Sequence, residues 1–388
     1  MNIPIVVIAY NRSHSLKRIL QSIDAAHFDY KKVDLIISID KGDNNRVYDI
    51  AEEFNWQYGD KIVIKHEKNL GLKEHVLSCG DLTKDYDAII MLEDDLVVSK
   101  SFYRYATQSV DYYKNDKGVG GISLYTYGIS EFSNFRTFIP MQDDSDIFFM
   151  NVPSSWGQIW TKSQWDLFRD WYNKKEYQKN NYKGVIPQVV MNWGEASWKK
   201  YFFMYIAEKK KYIVYPRVGL STNMSDIGTH RMITCTDHQS ILMGNFNRKY
   251  IFKSLDDSEC VYDSFFENVN LSHMINLSDE ITIDYYGLKT FPYITRYLLS
   301  TRNLNYKIKQ SWSLALKPYE LNILYDLEGN DIFLYDLKSR GKDIENNKLN
   351  SNIIKYDLPG LTKEKALQIV KIEYKAAVKR KIRSFLNK

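Results

Sequence analysis

The sequence predicts an α/β protein built on a mostly parallel sheet with helices on both faces. Short apolar runs rich in β-branched residues recur between residues 3 and 216, and such runs are typical of strands buried on both sides. Segments with apolar residues at helical spacing separate the runs, and this alternation indicates βαβ units. The pattern changes near residue 235, so we expect a smaller mixed α+β region at the C-terminus.

Six runs mark the expected strands, which are Ile3–Ala9, Val33–Asp40, Lys61–His66, Asp87–Leu92, Gly118–Thr126 and Tyr212–Pro216. Apolar spacing predicts four helices among them: one after an N-cap at Ser13, one around Val47–Phe54, one over Leu72–Leu82 and one over Phe102–Asn115. After residue 126 the sequence becomes irregular and rich in tryptophan.

We expect two domains, residues 1–234 and residues 235–388. In the second, Asn322–Leu337 contains two apolar segments on either side of Gly329-Asn330. Turn residues between two apolar segments are typical of a hairpin. The sequence therefore predicts a β-hairpin that turns near Gly329-Asn330.

The net charge is concentrated in the tail. Residues 363–388 contain nine Lys or Arg and two Glu, a net charge of +7, so the rest of the chain accounts for −2 of the total of +5. A net charge of −2 over the rest of the chain does not indicate nucleic-acid binding. Apolar residues from Leu367 to Phe385 recur at spacings of three, four or seven after a possible N-cap at Thr362. This pattern predicts a basic amphipathic helix, which either lies on an anionic membrane or packs on the second domain.

The bulk composition is that of an ordinary globular protein, with 44% hydrophobic and 26% charged residues. Three cysteines without metal-ligand spacing favour a reducing compartment. The sequence shows neither a signal peptide nor an apolar run long enough to span a membrane. We therefore expect a cytoplasmic protein, peripheral on the inner face of the membrane if the tail binds lipid.

Three consecutive carboxylates, Glu93, Asp94 and Asp95, follow the fourth expected strand, and Asp40 ends the second. Adjacent like charges repel, so their burial needs compensation. Parallel sheets bind ligands beyond the carboxyl ends of their strands, and hard divalent cations take carboxylate ligands together with substrate phosphates. The pattern predicts a metal-dependent site, with a solvated acidic turn as the alternative.

Two common phosphate-binding motifs are missing from the sequence. Tyr10-Asn11-Arg12 follows the first strand, where a dinucleotide fingerprint would have a glycine-rich turn, and there is no P-loop. Phosphates would therefore be bound by a metal ion and by cationic side chains.

Four segments together resemble an inverting glycosyltransferase of the GT-A fold: "IPIVVIAYNRSHSLKRIL", "ISID", "NLGL" and "IIMLEDDLVVSKSFYRY". The chain is similar to bacterial sugar transferases of glycosyltransferase family 2 and to N-acetylglucosaminyltransferase I. The likeness continues through "SSWGQIWTKSQW", "MNWGEASWKKYF" and "YPRVGLSTNMSDIGTH" as far as "IDYYGLK". It implies a Rossmann-like GT-A sheet and a nucleotide-sugar donor, with UDP favoured.

The resemblance implies a role for each matching residue. It implies nucleotide contacts for Ala9, Asn11, Arg12, Asp40 and Asp94, a donor-sugar contact for Glu93, and metal binding for Asp95 and His230. For Trp156 and Gly157 we expect either a contact with the donor sugar or a core tryptophan beside a turn glycine. The implied metal is Mn²⁺ or Mg²⁺, which neutralises the charge on the departing diphosphate. His230 could instead donate to a phosphate, although most lone histidines do neither.

An inverting transfer also needs a general base for the acceptor hydroxyl. We expect Glu195 in "MNWGEASW" to be this base, with Trp193 and Trp198 forming an acceptor or donor wall. The alternative is that Glu195 is a surface residue beside two core tryptophans. Asp166 and Asp170 are weaker candidates on an exposed helix.

The resemblance, together with the acidic turn, implies a metal-dependent inverting glycosyltransferase, of hexosyltransferase type, acting on a carbohydrate or lipid-linked acceptor. The resemblance implies a role in bacterial surface polysaccharide synthesis, either capsule or lipopolysaccharide. One alternative is a sugar nucleotidyltransferase, which usually has a glycine-rich loop after the first strand. Another is an inactive carbohydrate-binding protein of the same fold. The sugar, the acceptor and the oligomeric state stay open.

Overall fold

The computed structural model describes residues 1–29, 32–133, 136–227, 238–245, 247–275, 281–341 and 351–386. The helices are α1 (Ser13–Asp24), α2 (Asn45–Glu53), α3 (Gly71–Gly80), α4 (Phe102–Tyr113), α5 (Lys162–Lys174), α6 (Gln188–Met191), α7 (Trp198–Glu208), α8 (Leu271–Met274), α9 (Tyr319–Leu324), α10 (Ser351–Asp357) and α11 (Lys363–Leu386).

The strands are β1 (Ile5–Ala9), β2 (Leu35–Ile39), β3 (Lys61–Lys65), β4 (Ala88–Glu93), β5 (Leu96–Val98), β6 (Val119–Ser123), β7 (Ile129–Ser130), β8 (Arg136–Thr137), β9 (Ile147–Met150), β10 (Gln158–Thr161), β11 (Tyr212–Pro216), β12 (Ser221–Asn223), β13 (Val261–Tyr262), β14 (Ile281–Asp284), β15 (Tyr297–Ser300), β16 (Tyr306–Trp312) and β17 (Ile332–Arg340). All six expected strands and all four expected helices are present and differ only at their ends.

Nine strands form the central sheet in the order β13-β9-β11-β6-β10-β4-β1-β2-β3. β1 pairs in parallel with β2 and β4, and β2 pairs in parallel with β3. β10 runs antiparallel between β4 and β6. The predicted mostly parallel sheet is confirmed, and the carboxyl ends of β1, β2 and β4 meet at one edge, where ligands bind in open α/β sheets.

Helices cover both faces of this sheet, which explains the continuous apolar runs. Along β1, Val6 and Ile8 belong to one hydrophobic core, and Ile5 and Val7 belong to the other. Helices α1, α2 and α4 bury apolar residues in the second core, and α3, α5 and α7 bury theirs in the first. Each fully buried Val, Leu, Ile or Phe stabilises the fold by about 1.5–3 kcal/mol.

The predicted N-cap at Ser13 is wrong by one residue. Ser13 is the first helical residue of α1, and Arg12 occupies the N-cap position without a side-chain capping bond. Instead, the Arg12 side chain forms ion pairs with Asp94 and Asp95. Those long-range contacts outweigh the local capping preference for serine.

The C-terminal region contains a four-stranded sheet in the order β14-β15-β17-β16. The predicted hairpin over Asn322–Leu337 is wrong, because Tyr319–Leu324 forms helix α9 and β17 pairs with β15 and β16. Tyr319 and Ile323 are four residues apart and both are 5% exposed, which is a helical pattern. The Asn322 amide also bonds Ala315 N, Leu316 N and Leu316 O at 2.7–2.8 Å, and this network holds the preceding loop against the helix.

The chain on the C-terminal side of residue 234 still contributes to the first domain's sheet. β13 pairs in parallel with β9 at the edge of the central sheet. Tyr250 and Val261 are buried in the same core as α1. The domain boundary at residue 234 stays a prediction, and part of the second segment packs against the first.

The predicted tail helix is present as α11, and Thr362 Oγ1 accepts a hydrogen bond from Lys365 N at 3.3 Å. Four residues of its predicted apolar stripe are exposed, with Leu367 at 52%, Val370 at 63%, Tyr374 at 71% and Val378 at 41%. These side chains therefore do not pack in the described core of the chain. Among the helices of the described residues, none is long and apolar enough to cross a membrane.

Candidate active site

The predicted acidic residues meet at the carboxyl edge of the central sheet. Glu93 ends β4, and Asp94 and Asp95 form the turn into β5. β5 pairs antiparallel with β12, so that Asn223 lies opposite Leu96. This ribbon brings Asn223, which is 128 residues from Asp95 in sequence, to the carboxylates.

Arg12 bridges two of the three carboxylates. Its Nη1 donates to Asp95 Oδ2 at 2.9 Å, and its Nη2 donates to Asp94 Oδ1. Burial opposes the charge on Arg12, but the carboxylates of Asp94 and Asp95 outweigh burial and raise the pKa of Arg12. The guanidinium therefore supplies one positive charge against three adjacent carboxylates and compensates them only in part.

Burial raises the pKa values of two of these acids. The pKa of Glu93 rises to about 8 through burial, to which the charge of Asp95 adds while Arg12 opposes it. Burial likewise raises the pKa of Asp94 to about 6 against the opposing charge of Arg12. A divalent cation bound nearby would favour the ionised forms of both groups.

The acidic turn contains carboxylate oxygens, the ligand type that a hard divalent cation prefers. Asp95 Oδ1 accepts from Asn223 Nδ2 at 3.2 Å, and Asp94 Oδ2 is buried without a hydrogen-bond partner among the described residues. The same part of the chain contains no group of three or more His, Cys, Asp or Glu that could hold a metal ion. A metal bound by Asp95 would take further ligands from the diphosphate and water. The predicted ligand His230 lies outside the described residues.

A second ion pair anchors the segment that follows β12. Ser15 Oγ donates to Asp226 Oδ2 at 2.6 Å, and Arg18 Nη1 donates to Asp226 Oδ1 at 3.2 Å. Burial opposes ionisation of Asp226, but the bonds from Arg18 and Ser15 outweigh it and lower the pKa of Asp226. Met224 N also donates to Asp95 O at 2.9 Å. Residues 223–226 are thus attached to both α1 and the acidic turn.

Asp40 is buried and binds the first turn of α3. Its Oδ1 accepts from Leu70 N at 2.8 Å, and its Oδ2 accepts from Gly71 N at 3.0 Å. A carboxylate is favourable at a helix N-terminus. Residues 65–68 and Leu70 line an open surface cavity of about 600 Å³ beside this contact. Asp40 therefore holds one wall of this cavity in place.

The other predicted nucleotide residues lie at the end of β1. Ala9 O accepts from Asp40 N at 2.9 Å. Asn44 Nδ2 donates to Asn11 O at 2.9 Å, and Asn44 N donates to Asn11 Oδ1 at 3.3 Å. These bonds join the ends of β1 and β2, so Ala9, Asn11, Arg12 and Asp40 lie along one edge, as expected for parallel strands.

Trp156 and Trp193 come together around Lys199. Lys199 Nζ lies 5.4 Å from the Trp156 ring centroid and 5.5 Å from that of Trp193. It also pairs with Glu131 Oε2 at 3.3 Å, and its charge partly opposes the raised pKa of Glu93. The first turn of α7 therefore places one positive charge beside Trp156, a predicted donor-sugar residue, beside Trp193, a predicted wall residue, and within electrostatic range of Glu93.

Gly157 is required by the backbone next to Trp156. Its φ is +93°, and a Cβ at this position would lie 2.9 Å from Ser221 Oγ and 3.1 Å from Leu124 Cβ. Any larger residue would be strained and would push against β12. Ser221 Oγ also donates to Trp156 O at 2.6 Å, which fixes the Trp156 backbone to the same strand.

The structure corrects the expected role of Trp198. It is 3% exposed, and its ring lies 5.9 Å from that of Trp160 and 6.1 Å from that of Phe202. It therefore packs in the core, because that face of α7 lies against the sheet. The weaker base candidates lie on α5, where Asp170 is exposed and Asp166 pairs with Lys162 at 3.0 Å.

The Glu195 side chain is 63% exposed. Its Oε1 accepts from Lys200 Nζ at 3.0 Å, and its Oε2 accepts from Tyr201 OH. The same Lys200 ammonium donates to Trp193 O at 2.7 Å. A solvent-accessible carboxylate is thus fixed on the loop that carries the wall residue Trp193.

Sequence reasoning missed five side chains at this edge of the sheet, namely Arg18, Glu131, Lys199, Asn223 and Asp226. Asn223 and Asp226 lie in the polar stretch "STNMSD" (Ser221–Asp226), which follows the expected strand Tyr212–Pro216. This stretch is part of a segment on which the family resemblance rests. Polar residues directly after a strand in an α/β sheet are a usable signal. The partners of the other three are distant in sequence.

Residues 5–163 match the family described as Glycosyl transferase family 2. The matched region runs from β1 into α5 and includes Arg12, Asp40 and the acidic turn. It confirms the predicted resemblance and the GT-A-type fold. No curated protein matches the chain.

Several solved structures share low similarity with the chain. S. aureus TarS 1–349 in complex with UDP-GlcNAc is 13% identical with a TM-score of 0.39, over 59% of this chain and 60% of that chain. The mannosyltransferase PcManGT from Pyrobaculum calidifontis, in complex with GDP-Man and Mn²⁺, is 11% identical with a TM-score of 0.32, over 44% and 46%. This chain therefore matches less than two thirds of the TarS fragment, and at these TM-scores the neighbours carry no functional argument.

Proposed function

From the glycosyl transferase family 2 domain in residues 5–163, we propose that the chain is a metal-dependent inverting glycosyltransferase that uses a nucleotide-sugar donor. The observation that carries this proposal is the buried acidic turn at the end of β4. Asp94 and Asp95 are bridged there by Arg12, and an Asp94 oxygen is left without a partner among the described residues. Burial of this kind is unfavourable unless a ligand compensates it.

In this proposal Asp95 holds Mn²⁺ or Mg²⁺, and a bound ion neutralises charge on the departing diphosphate. Arg12 and Asp94 contact the nucleotide, Asp40 supports its base through the α3 turn, and Glu93 contacts the donor sugar. Lys199 adds a positive charge between Trp156 and Trp193, where a sugar ring can stack.

Glu195 takes the proton from the acceptor hydroxyl as that oxygen forms its bond to the anomeric carbon. The bond between the anomeric carbon and the diphosphate oxygen breaks on the opposite face, and the diphosphate leaves with the electron pair. The configuration at the anomeric carbon is thereby inverted. Exposure of Glu195 suits a base that meets an acceptor arriving from solution.

A donor screen tests the proposal. UDP-, GDP- and CMP-sugars are each tested for thermal stabilisation with Mn²⁺, with Mg²⁺ and with EDTA, and then for nucleotide release. We expect one UDP-sugar to raise Tm only with metal, since a ligand at 100 times its Kd stabilises by about 2.7 kcal/mol. Asp95→Asn should lose this response, whereas Asp166→Asn on exposed α5 should keep it.

Three results would contradict the proposal. If no nucleotide sugar raises the Tm of the protein in the presence of metal, the proposed donor site is wrong. Pyrophosphate formation from a nucleoside triphosphate and a sugar 1-phosphate would instead support a nucleotidyltransferase. Donor binding without turnover, in the presence of varied glycan acceptors, would support a carbohydrate-binding protein.

We further propose that α11 brings the enzyme to a lipid-linked acceptor on an anionic membrane, in bacterial surface polysaccharide synthesis. Support comes from the exposed apolar side chains of Leu367, Val370 and Tyr374, combined with the net charge of +7 over residues 363–388. A basic helix of this kind gains about 1 kcal/mol for each Lys or Arg near anionic lipid. The capsule or lipopolysaccharide pathway itself rests on the sequence resemblance.

A further inference from the structure

The loop that carries Glu195 is held by side chains from two helices. Lys200 and Tyr201 come from the first turn of α7, and Lys73 comes from the first turn of α3. Together they bond both carboxylate oxygens and the backbone carbonyl of Glu195. Nothing in the sequence pattern assigned these three residues to the site.

Lys200 is a buried cation whose ion-pair partner is Glu195. Its side chain is 2% exposed, and its Nζ donates to Glu195 Oε1 at 3.0 Å and to Trp193 O at 2.7 Å. A buried ammonium group is costly unless it is paired and hydrogen-bonded. The requirement of Lys200 for partners therefore favours both the observed loop conformation and the ionised form of Glu195.

Tyr201 holds the other carboxylate oxygen. Its hydroxyl donates to Glu195 Oε2, and its ring is 5% exposed and lies 5.3 Å from the Tyr177 ring. Burial, and then the hydrogen bond to Glu195, raise the pKa of Tyr201, so it remains a donor at all ordinary pH values. The packed ring fixes the direction of that donated hydrogen bond.

Lys73 connects this loop to the nucleotide end of the site. Its Nζ donates to Glu195 O at 3.0 Å and lies 5.4 Å from the Tyr201 ring centroid. The same α3 turn donates Leu70 N and Gly71 N to Asp40. One helical turn thus contacts both the Asp40 side and the Glu195 side.

We propose that Lys200, Tyr201 and Lys73 are positioning residues for glycosyl transfer, in which Lys200 and Tyr201 orient the Glu195 carboxylate, the Lys200 charge favours its ionised form, and Lys73 holds the Glu195 backbone. This rests on the proposed function of Glu195 as the base. The acceptor approaches a carboxylate whose direction is already set, so less ordering is needed in the transition state.

We call the contacts of Lys200, Tyr201 and Lys73 with Glu195 the clamp. Hydrogen exchange tests the clamp without a nucleotide-sugar donor. Trp193 N donates to Val190 O and Ser197 N donates to Gly194 O, both at 3.1 Å, so these loop amides report on local opening. Lys200→Met and Tyr201→Phe should each speed exchange of residues 193–197 by about tenfold, because each removes a hydrogen bond. Lys200→Arg should restore protection, and Lys209→Met, at the exposed far end of α7, should leave it unchanged.

Kinetics with the donor from the screen test the catalytic consequence. Lys200→Met and Lys73→Met should lower kcat about tenfold or more with little change in donor KM. Among the described residues, the groups that act on Glu195 include those of Lys200, Tyr201, Lys73 and Tyr177. Loss of the Lys200 charge alone should move the acidic limb of the kcat/KM profile to higher pH, because a carboxylate without an adjacent cation is protonated more easily. Lys200→Arg should restore the limb.

The outcomes distinguish failure of the proposed positioning residues from failure of Glu195 as the general base. Wild-type exchange in both Lys200→Met and Tyr201→Phe, together with an unshifted pH profile in Lys200→Met, would overturn the role of these positioning residues even if Glu195→Gln is inactive. Full activity of Glu195→Gln would overturn the base, whatever the exchange result. Tyr201→Phe and Lys73→Met keep the test decisive if Lys200→Met does not fold, because the Tyr201 ring is retained and the Lys73 side chain is 22% exposed.

Discussion

The two carboxylate sites of this protein are built in opposite ways. Asp94 and Asp95 lie at a strand end, with side chains 4% and 13% exposed, and a single guanidinium compensates both. The Glu195 side chain is 63% exposed on a loop and is held by Lys200, Tyr201 and Lys73. The first site is fixed by the sheet itself, and the second is fixed by side-chain contacts between helices.

This difference suits two separate tasks. A buried acidic turn is pre-organised for a charged donor, because the binding of cations and phosphates is strengthened where water is excluded. In the proposed function, the exposed Glu195 carboxylate would meet an acceptor from solution while pointing in one direction. We therefore expect mutations at the first site to affect binding, and mutations at the second site to affect turnover.

The largest expected effect is on turnover. Glu195→Gln keeps the shape of the side chain but removes the proton acceptor, so kcat should fall by roughly 10²–10⁴-fold with donor affinity little changed. Initial rates and nucleotide affinity of the same protein sample measure this. Asp170→Asn on α5 is the matched control, and activity of Glu195→Gln within a few-fold of wild type would place the base elsewhere.

Asp95→Ala should affect binding instead. Loss of the metal-binding carboxylate should weaken nucleoside diphosphate affinity in Mn²⁺ by about 10²–10³-fold, corresponding to several kcal/mol of charge stabilisation. Isothermal titration with UDP, with and without Mn²⁺, measures it. Unchanged far-UV circular dichroism should accompany the loss, and wild-type affinity in the variant would reject Asp95 as the ligand.

Glu320 is a buried acid outside the candidate active site, so it tests the effect of burial on a carboxyl group apart from the Asp94–Asp95 turn and Glu195. Burial raises the pKa of Glu320 to about 7, above the value near 4.3 expected when unfolded. The folded state then binds the proton more tightly, so this contribution to stability is present below pH 4 and is lost as pH rises towards 7. Glu320→Gln should remove that loss and be more stable than wild type at pH 8 by about 1–3 kcal/mol.

Urea unfolding at pH 5 and at pH 8 checks this prediction. Glu328→Gln, an exposed acid of the same region, should match the wild type at both pH values. Equal pH dependence in Glu320→Gln and the wild type would show that Glu320 does not carry a shifted proton.

The smallest effect on catalysis is expected at the tail. A version ending at Pro359 should turn over a water-soluble acceptor like the full chain but should not co-sediment with anionic vesicles at low salt, whereas the full chain should bind them and be released by high salt. Equal vesicle binding by both versions would reject the anchor. Loss of folding on truncation would indicate that α11 packs on the protein.

Much of the fold could be predicted because its signals are local. Apolar runs such as Val33–Asp40 identify strands buried on both faces, and acidic residues immediately after a run identify a strand end. The prediction of a hairpin over Asn322–Leu337 was wrong because a short apolar stretch does not show whether its period is that of a strand or of a helix. Tertiary packing decides the conformation, because helix α9 buries the polar Glu320 and Asn322 as well as Tyr319 and Ile323.

The sequence by itself determined the alternating sheet, the acidic turn and the basic tail helix, because residue spacing and charge along the chain are enough to define them. The tertiary structure decided which side chains compensate the charges of Asp94 and Asp95 and which side chains orient Glu195. Arg12 reaches Asp94 and Asp95 through strand pairing, and Lys73 and Lys200 meet at Glu195 because α3 packs against α7. Contacts between residues this far apart depend on strand register and helix packing, which no local periodicity encodes.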